Sequence, residues 1–143
     1  MFADSSALVK LYADEDGDET VRALDGIVVS GIALVEVPAA LWRKERTGGL
    51  DPGDAGLLSW DFAVDFAGTR QEEPRFSVMS VTEVLFEDAA RLVAVRGLRA
   101  YDAVQLATAL AAREADPDCA SFACFDTALR AAAAAHGFAL VPA

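Results

Sequence analysis

Cysteine, histidine and lysine are all scarce in this chain of 143 residues, and each scarcity closes a route. The two cysteines, Cys119 and Cys124, stand five apart with no further Cys or His pair nearby, a spacing that matches no zinc site. They are read as reduced, partly buried thiols, with a disulfide as the alternative. The single histidine, His136, has no accompanying Ser or Cys nucleophile pattern, so nothing points to triad chemistry. It precedes Gly137 and is read as a cation at a helix C-terminus. Lysine occurs only at positions 10 and 44. No apolar run reaches the roughly 18 residues of a membrane span. The N-terminus lacks a basic region, an apolar stretch and a cleavage site in succession, so the expected location is the cytoplasm, with no membrane partner. With 23 acids against 12 bases the net charge is −11. That discourages passive adhesion to nucleic acid or an anionic membrane, and leaves room for a nuclease whose contacts run through a bound metal and a few arginines.

Apolar residues, in contrast, make up 54% of the chain, enough for a sizeable core. The expectation is one domain spanning 1–143. Strand patterns occur at 1–4, 27–30, 75–81 ("RFSVMSV"), 121–125 ("SFACF") and 138–141 ("FALV"). Helical patterns occupy 5–12, 20–24, 32–49, 51–68, 82–97, 99–116 and 126–137, and 13–19 reads as a polar loop. Pro38 should kink the third helix or mark an irregular first turn. Thr82 can cap the fifth, and Gly137 can stop the last. The sixth helix is apolar almost all round and is expected to be buried. Trp42 and Trp60 fall at core or dimer-contact spacing. Strands alternating with helices indicate an α/β domain with a mainly parallel sheet.

Four carboxylates stand out against this pattern. Asp4 and Asp126 each follow a short apolar strand and precede a helix. In open parallel sheets, ligands bind outside the carboxyl ends of the strands where strand order reverses. If these two strands are neighbours, both carboxylates face one crevice; helix N-capping is the competing use of each. Asp102 opens the helix with the least polar surface, where a charge is costly unless paired, capped or metal-bound, although interaction with the helix dipole would also account for it. Glu36 lies among Leu34, Val35 and Val37 with alanines at i+3 and i+4, so it has no local basic partner; a solvated surface Glu is its alternative. Converging unmetallated, such groups would repel one another, and a hard dication, Mg²⁺ or Mn²⁺, relieves that repulsion.

The segments "ADSSALVKLY", "LVEVPAALWR", "LRAYDAVQLATAL" and "FDTALRAAAAAHG" together make the chain resemble a PIN-domain ribonuclease, specifically the VapC-like toxins of toxin–antitoxin pairs. The resemblance implies a three-layer α/β/α sandwich on a mainly parallel sheet of about five strands, and an Mg²⁺- or Mn²⁺-dependent endoribonuclease. Carried over, Asp4, Asp102 and Asp126 would be metal ligands and Glu36 would complete the catalytic acidic cluster. Ser6 would orient Asp4 or a water, and Thr127 would offer a supporting hydroxyl, with helix capping as its other use. Arg43, Arg46 and Arg99 flank the acidic segments as candidates for RNA phosphate contact. The implied partners are RNA, a second copy of the chain and a VapB-like antitoxin forming a hetero-oligomer, which suits the −11 charge. Two positions depart from the family pattern: Cys124, a poor hydrogen-bond partner, stands where Thr or Ser is common, and Thr127–Ala128 stand where a further acid often follows. A non-catalytic PIN-like module binding RNA or protein is the alternative. An aspartyl-phosphate phosphotransferase is disfavoured, because Ser6 occupies the position of its second Asp.

Overall fold

The computed structural model describes residues 1–14 and 17–143; two residues of the acidic stretch 13–19 therefore lie outside the described residues. Phe2–Ala3 forms β1, followed by a short helix α1 (Ser5–Leu8), a 3₁₀ turn (Val9–Leu11) and α2 (Asp18–Arg22). Next come β2 (Val28–Ser30), α3 (Ala33–Arg46), α4 (Asp54–Ala67) and β3 (Ser77–Met79). The remainder is α5 (Glu83–Arg96), α6 (Ala100–Ala115), β4 (Ser121–Ala123), α7 (Thr127–Ala135) and β5 (Ala139–Val141). All strand pairings are parallel, in the order β3-β2-β1-β4-β5. The fold is therefore the α/β/α sandwich expected.

The chain runs outward from β1 to β3, then returns to place β4 on the other side of β1. Strand order reverses between β1 and β4, which pair with Phe2 opposite Phe122 and Ala3 opposite Ala123. Because strand side chains alternate between faces, each pair serves a different layer. Phe2 and Phe122 stack at a centroid distance of 5.3 Å within the core against α5, α6 and α7. Ala3 and Ala123 join the opposite core, with Leu8, Val37, Leu41 and Phe62 from α1, α3 and α4.

Local signals explain the element ends. Thr82 Oγ1 accepts from Leu85 N–H at 3.4 Å, and Gly97 closes the same helix at φ 67°. Gly137, at φ 83°, ends the turn after α7. Pro38 sits inside α3, whose first turn is irregular: Leu34 and Val35 donate to carbonyls three residues back, Gly31 and Ile32. The helix expected over 5–12 tightens into a 3₁₀ turn halfway, and the strand expected over 75–81 shortens to three residues at the sheet edge.

One other expectation needs correction, and two resolve between their stated alternatives. Trp42 and Trp60, at core or dimer-contact spacing, lie outside the core, 43% and 70% exposed. His136 is a poorer helix-terminal cation than expected, because burial, Arg96 and Arg113 all lower its pKa. Arg113 instead supplies the charge there, donating to the His136 carbonyl at 3.0 Å. Both cysteines are buried free thiols, as expected, and not the alternative disulfide.

Candidate active site

The reversal point between β1 and β4 opens into a cleft of about 590 Å³. Asp4, Glu36, Asp102 and Asp126 all line it, each delivered by a different element. Asp4 and Asp126 reach it from the carboxyl ends of the two central strands, Glu36 from the first turn of α3 and Asp102 from the first turn of α6.

Asp4 is 4% exposed. Its Oδ1 accepts from Ala7 N–H at 3.0 Å, capping α1, and from Ser6 Oγ at 2.8 Å. Burial pushes the carboxyl up to about 6 despite these hydrogen bonds. Ser6 Oγ also accepts from Phe125 N–H at 2.9 Å, tying the ends of β1 and β4 together across the reversal. Asp126 divides its oxygens: Oδ1 accepts from Leu129 N–H at 2.9 Å, capping α7, while Oδ2 accepts from Arg99 Nη2 at 2.7 Å. Capping and cleft-lining are thus combined in both residues.

Arg99 also donates from Nε to Asp102 Oδ2 at 3.0 Å, so one guanidinium bridges the two aspartates. Burial raises the Asp102 pKa; Arg99 opposes that rise and the neighbouring Asp126 charge adds to it. Among the described residues, no three acidic, His or Cys side chains stand close enough to hold a metal ion as arranged. The donor set nonetheless consists of hard carboxylate oxygens, the type Mg²⁺ and Mn²⁺ select.

Glu36 finds its partners outside its own helix. Its Oε2 accepts from Ser5 Oγ at 2.8 Å and from Gln105 Nε2 at 2.6 Å. Gln105 is 2% exposed, also donates to Ser5 Oγ at 2.9 Å, and leaves its Oε1 buried without a partner among the described residues. Neither Ser5 nor Gln105 was anticipated from sequence. The available signal for Gln105 was an amide one turn after Asp102 on an otherwise apolar helix; Ser5 carried none beyond adjacency to Asp4.

The cleft is not uniformly negative. Lys10, Arg43, Lys44 and Arg99 line it too, so both lysines of the chain face this one site. Lys10 is 8% exposed, with Nζ 4.4 Å from the Phe125 ring centroid. Arg46 and Thr127 are exposed and stand apart from the cleft lining, whereas Ser6 lies within it. Cys124 does form hydrogen bonds, although weak ones: its sulfur accepts from Asp126 N–H at 3.3 Å and from Ser6 Oγ at 3.8 Å. Burial and the Asp4 charge raise its pKa, which keeps it a thiol.

A family model for the PIN domain matches residues 1–135. The chain is 33% identical over 147 aligned positions to Ribonuclease VapC45 of Mycobacterium tuberculosis (strain CDC 1551 / Oshkosh), an alignment covering 100% of this chain and 95% of that protein. The same identity and coverage hold for Ribonuclease VapC49 of M. tuberculosis (strain ATCC 25618 / H37Rv). With its parallel five-stranded sheet and its match along nearly the whole length, this chain belongs to the PIN-domain family, among relatives of the VapC ribonucleases.

Proposed function

We propose that this protein is a divalent-metal-dependent endoribonuclease acting as the toxin of a toxin–antitoxin pair. The observation that carries the reading is the convergence of four carboxylates from four elements on the crevice between β1 and β4, rimmed by four bases. The full-length similarity to two proteins named ribonucleases supports it. Asp4, Asp102 and Asp126 would hold Mg²⁺ or Mn²⁺. When bound, the ion supplies Lewis-acid polarisation of a phosphodiester and its attacking water.

The chain's own groups do the rest. Lys10, Arg43, Lys44 and Arg99 would hold the RNA backbone, with the Arg99 guanidinium offering the paired donors that suit a phosphate. Ser6 fixes the Asp4 carboxylate, and Ser5 with Gln105 fixes Glu36. Glu36 would accept a proton from the water that attacks phosphorus. The bond to the 3′ oxygen breaks, leaving a 5′-phosphate and a 3′-hydroxyl protonated by solvent.

Partners follow the same reading. Trp42 on α3 and Leu57 and Trp60 on α4 are 43%, 67% and 70% exposed, a concentration of large apolar groups suited to a protein partner. A VapB-like antitoxin and a second copy of the chain are the proposed occupants. A cytoplasmic location accords with the finding that no described helix is long and apolar enough to cross a membrane.

One observation favours the second reading, a non-catalytic module: Arg99 already pairs with two of the four acids. Incubation of single-stranded RNA with the purified protein separates the two. Cleavage in Mg²⁺ or Mn²⁺, stopped by EDTA and lost in Asp4→Asn, is expected. An Asp4→Asn variant that cleaves at the wild-type rate would overturn the nuclease assignment.

A further inference from the structure

Arg99 is the N-cap residue of α6, with an extended backbone (φ −65°, ψ 156°), and its side chain is 77% exposed. Its two partners are far less exposed, Asp102 at 19% and Asp126 at 28%. The aspartates come from different elements and meet on this one guanidinium at 3.0 and 2.7 Å. An exposed ion pair is held weakly and exchanges readily. The cation that bridges the aspartates is therefore the mobile member of the cluster, and the carboxylates are the fixed ones.

We infer that Arg99 is an internal counter-cation that competes with the divalent metal for Asp102 and Asp126, and that an RNA phosphate draws it away. Electrostatics and geometry give both halves of the exchange. A dication at these two carboxylates and a guanidinium hydrogen-bonded to them repel and occlude one another. The planar fork that spans two carboxylate oxygens spans two phosphate oxygens equally well. Releasing Arg99 to the substrate thus empties the site for the metal, and metal binding frees Arg99 for the substrate. Because such coupling is reciprocal, each ligand tightens the other. The device offsets part of the negative charge of the acidic cluster until RNA arrives. It rests on the nuclease reading above and adds the order in which the site fills.

The test reads two binding constants, neither of them an activity. Mn²⁺ alone is titrated calorimetrically into wild type, Arg99→Gln, Arg99→Lys and Arg43→Gln. A short single-stranded RNA is then titrated into the same proteins in EDTA. Arg99→Gln should bind Mn²⁺ about three- to tenfold more tightly, the scale of two released surface ion pairs, and bind RNA more weakly. Arg99→Lys, a point charge without the fork, should fall between wild type and Gln for Mn²⁺. Arg43 lines the same cleft, so Arg43→Gln should weaken RNA while changing Mn²⁺ affinity by less than about twofold. Opposite shifts for the two ligands are what a purely structural Arg99 would not produce. The inference is overturned if Arg99→Gln binds Mn²⁺ no better than wild type, or if Arg43→Gln tightens Mn²⁺ as much. In either case, loss of Mn²⁺ binding in Asp102→Asn would leave the metal-dependent nuclease intact. If wild type and Asp102→Asn alike bind no Mn²⁺, both readings fall.

Discussion

Replacing Asp4 with Asn should make the metal-free protein more stable while abolishing its activity. The reasoning starts from burial: the carboxyl is 4% exposed, and its pKa rises from 3.8 to about 6. A carboxyl whose folded pKa exceeds its unfolded value holds its proton more tightly in the native state. The contribution of this group to stability is therefore greatest below pH 4, falls as pH rises through the window from about 4 to 6, and levels off above it. Across that window the wild type forfeits about 3 kcal/mol, from a pKa difference of about 2 at 1.36 kcal/mol for each. Asn avoids the loss because it never ionises, and its Oδ1 can still accept from Ala7 N–H and Ser6 Oγ. Its amide N–H₂ brings new donors that need partners, so the net gain at pH 7.5 should be about 1–3 kcal/mol. For a chain of this length that corresponds to a rise in Tm of roughly 3–10 °C.

Thermal unfolding of both proteins in EDTA, at several pH values from 4 to 8, provides the check. The gap between them should open with pH, and groups that titrate alike in both proteins cancel from it. Saturating Mn²⁺ should raise the wild type and leave Asp4→Asn nearly unmoved, since ligand binding stabilises only the state that binds it. An Asn variant no more stable than wild type at pH 7.5, or a gap that does not vary with pH, would refute the account of Asp4 as a charge held at a cost.

Three further outcomes follow. Gln105→Leu should lower cleavage about tenfold, as expected for loosened positioning of a reactive group. Stability should change by less than about 1 kcal/mol, because the lost donations to Ser5 and Glu36 are offset by removal of the buried, unpartnered Oε1; single-turnover kinetics and a urea melt read the two effects separately. Phe122→Ala should destabilise by about 3–5 kcal/mol in denaturant unfolding, since this fully buried ring packs on Phe2 and Phe138 beneath the site. EDTA should remove RNA cleavage from wild type without unfolding it, as followed by circular dichroism, because the two cores are built from side chains alone.

The order of strands and helices was legible because each signal was local: the short apolar run of β4, the Thr82 cap, the all-round apolar α6. The four acids were legible for a related reason, since a charge set at a strand end or inside an apolar helix face is costly without a purpose. What escaped notice depended on distance in sequence. Gln105 meets Glu36 across 69 residues and Ser5 across 100, and nothing in their own neighbourhoods marks those bonds. Whether Trp42 and Trp60 face the core or a partner stayed open because helical spacing defines a face without saying which way that face turns. The lowered pKa of His136 was missed because Arg96 and Arg113 approach it from other helices.

Capping and catalysis, set against each other when Asp4 and Asp126 are considered singly, are not rivals in this fold. A helix N-cap residue has an extended backbone and a side chain pinned by a backbone N–H, and both aspartates have those properties. Pinning one carboxylate oxygen fixes the direction of the other without consuming it. At Asp126 the division is explicit: Oδ1 serves α7 and Oδ2 faces the cleft cation. Two neighbouring parallel strands that each end in such a cap therefore aim two oriented carboxylates into the same crevice. The cap supplies the rigidity that a site of converging charges requires, and its hydrogen bonds offset part of the rise that burial imposes on the Asp4 pKa.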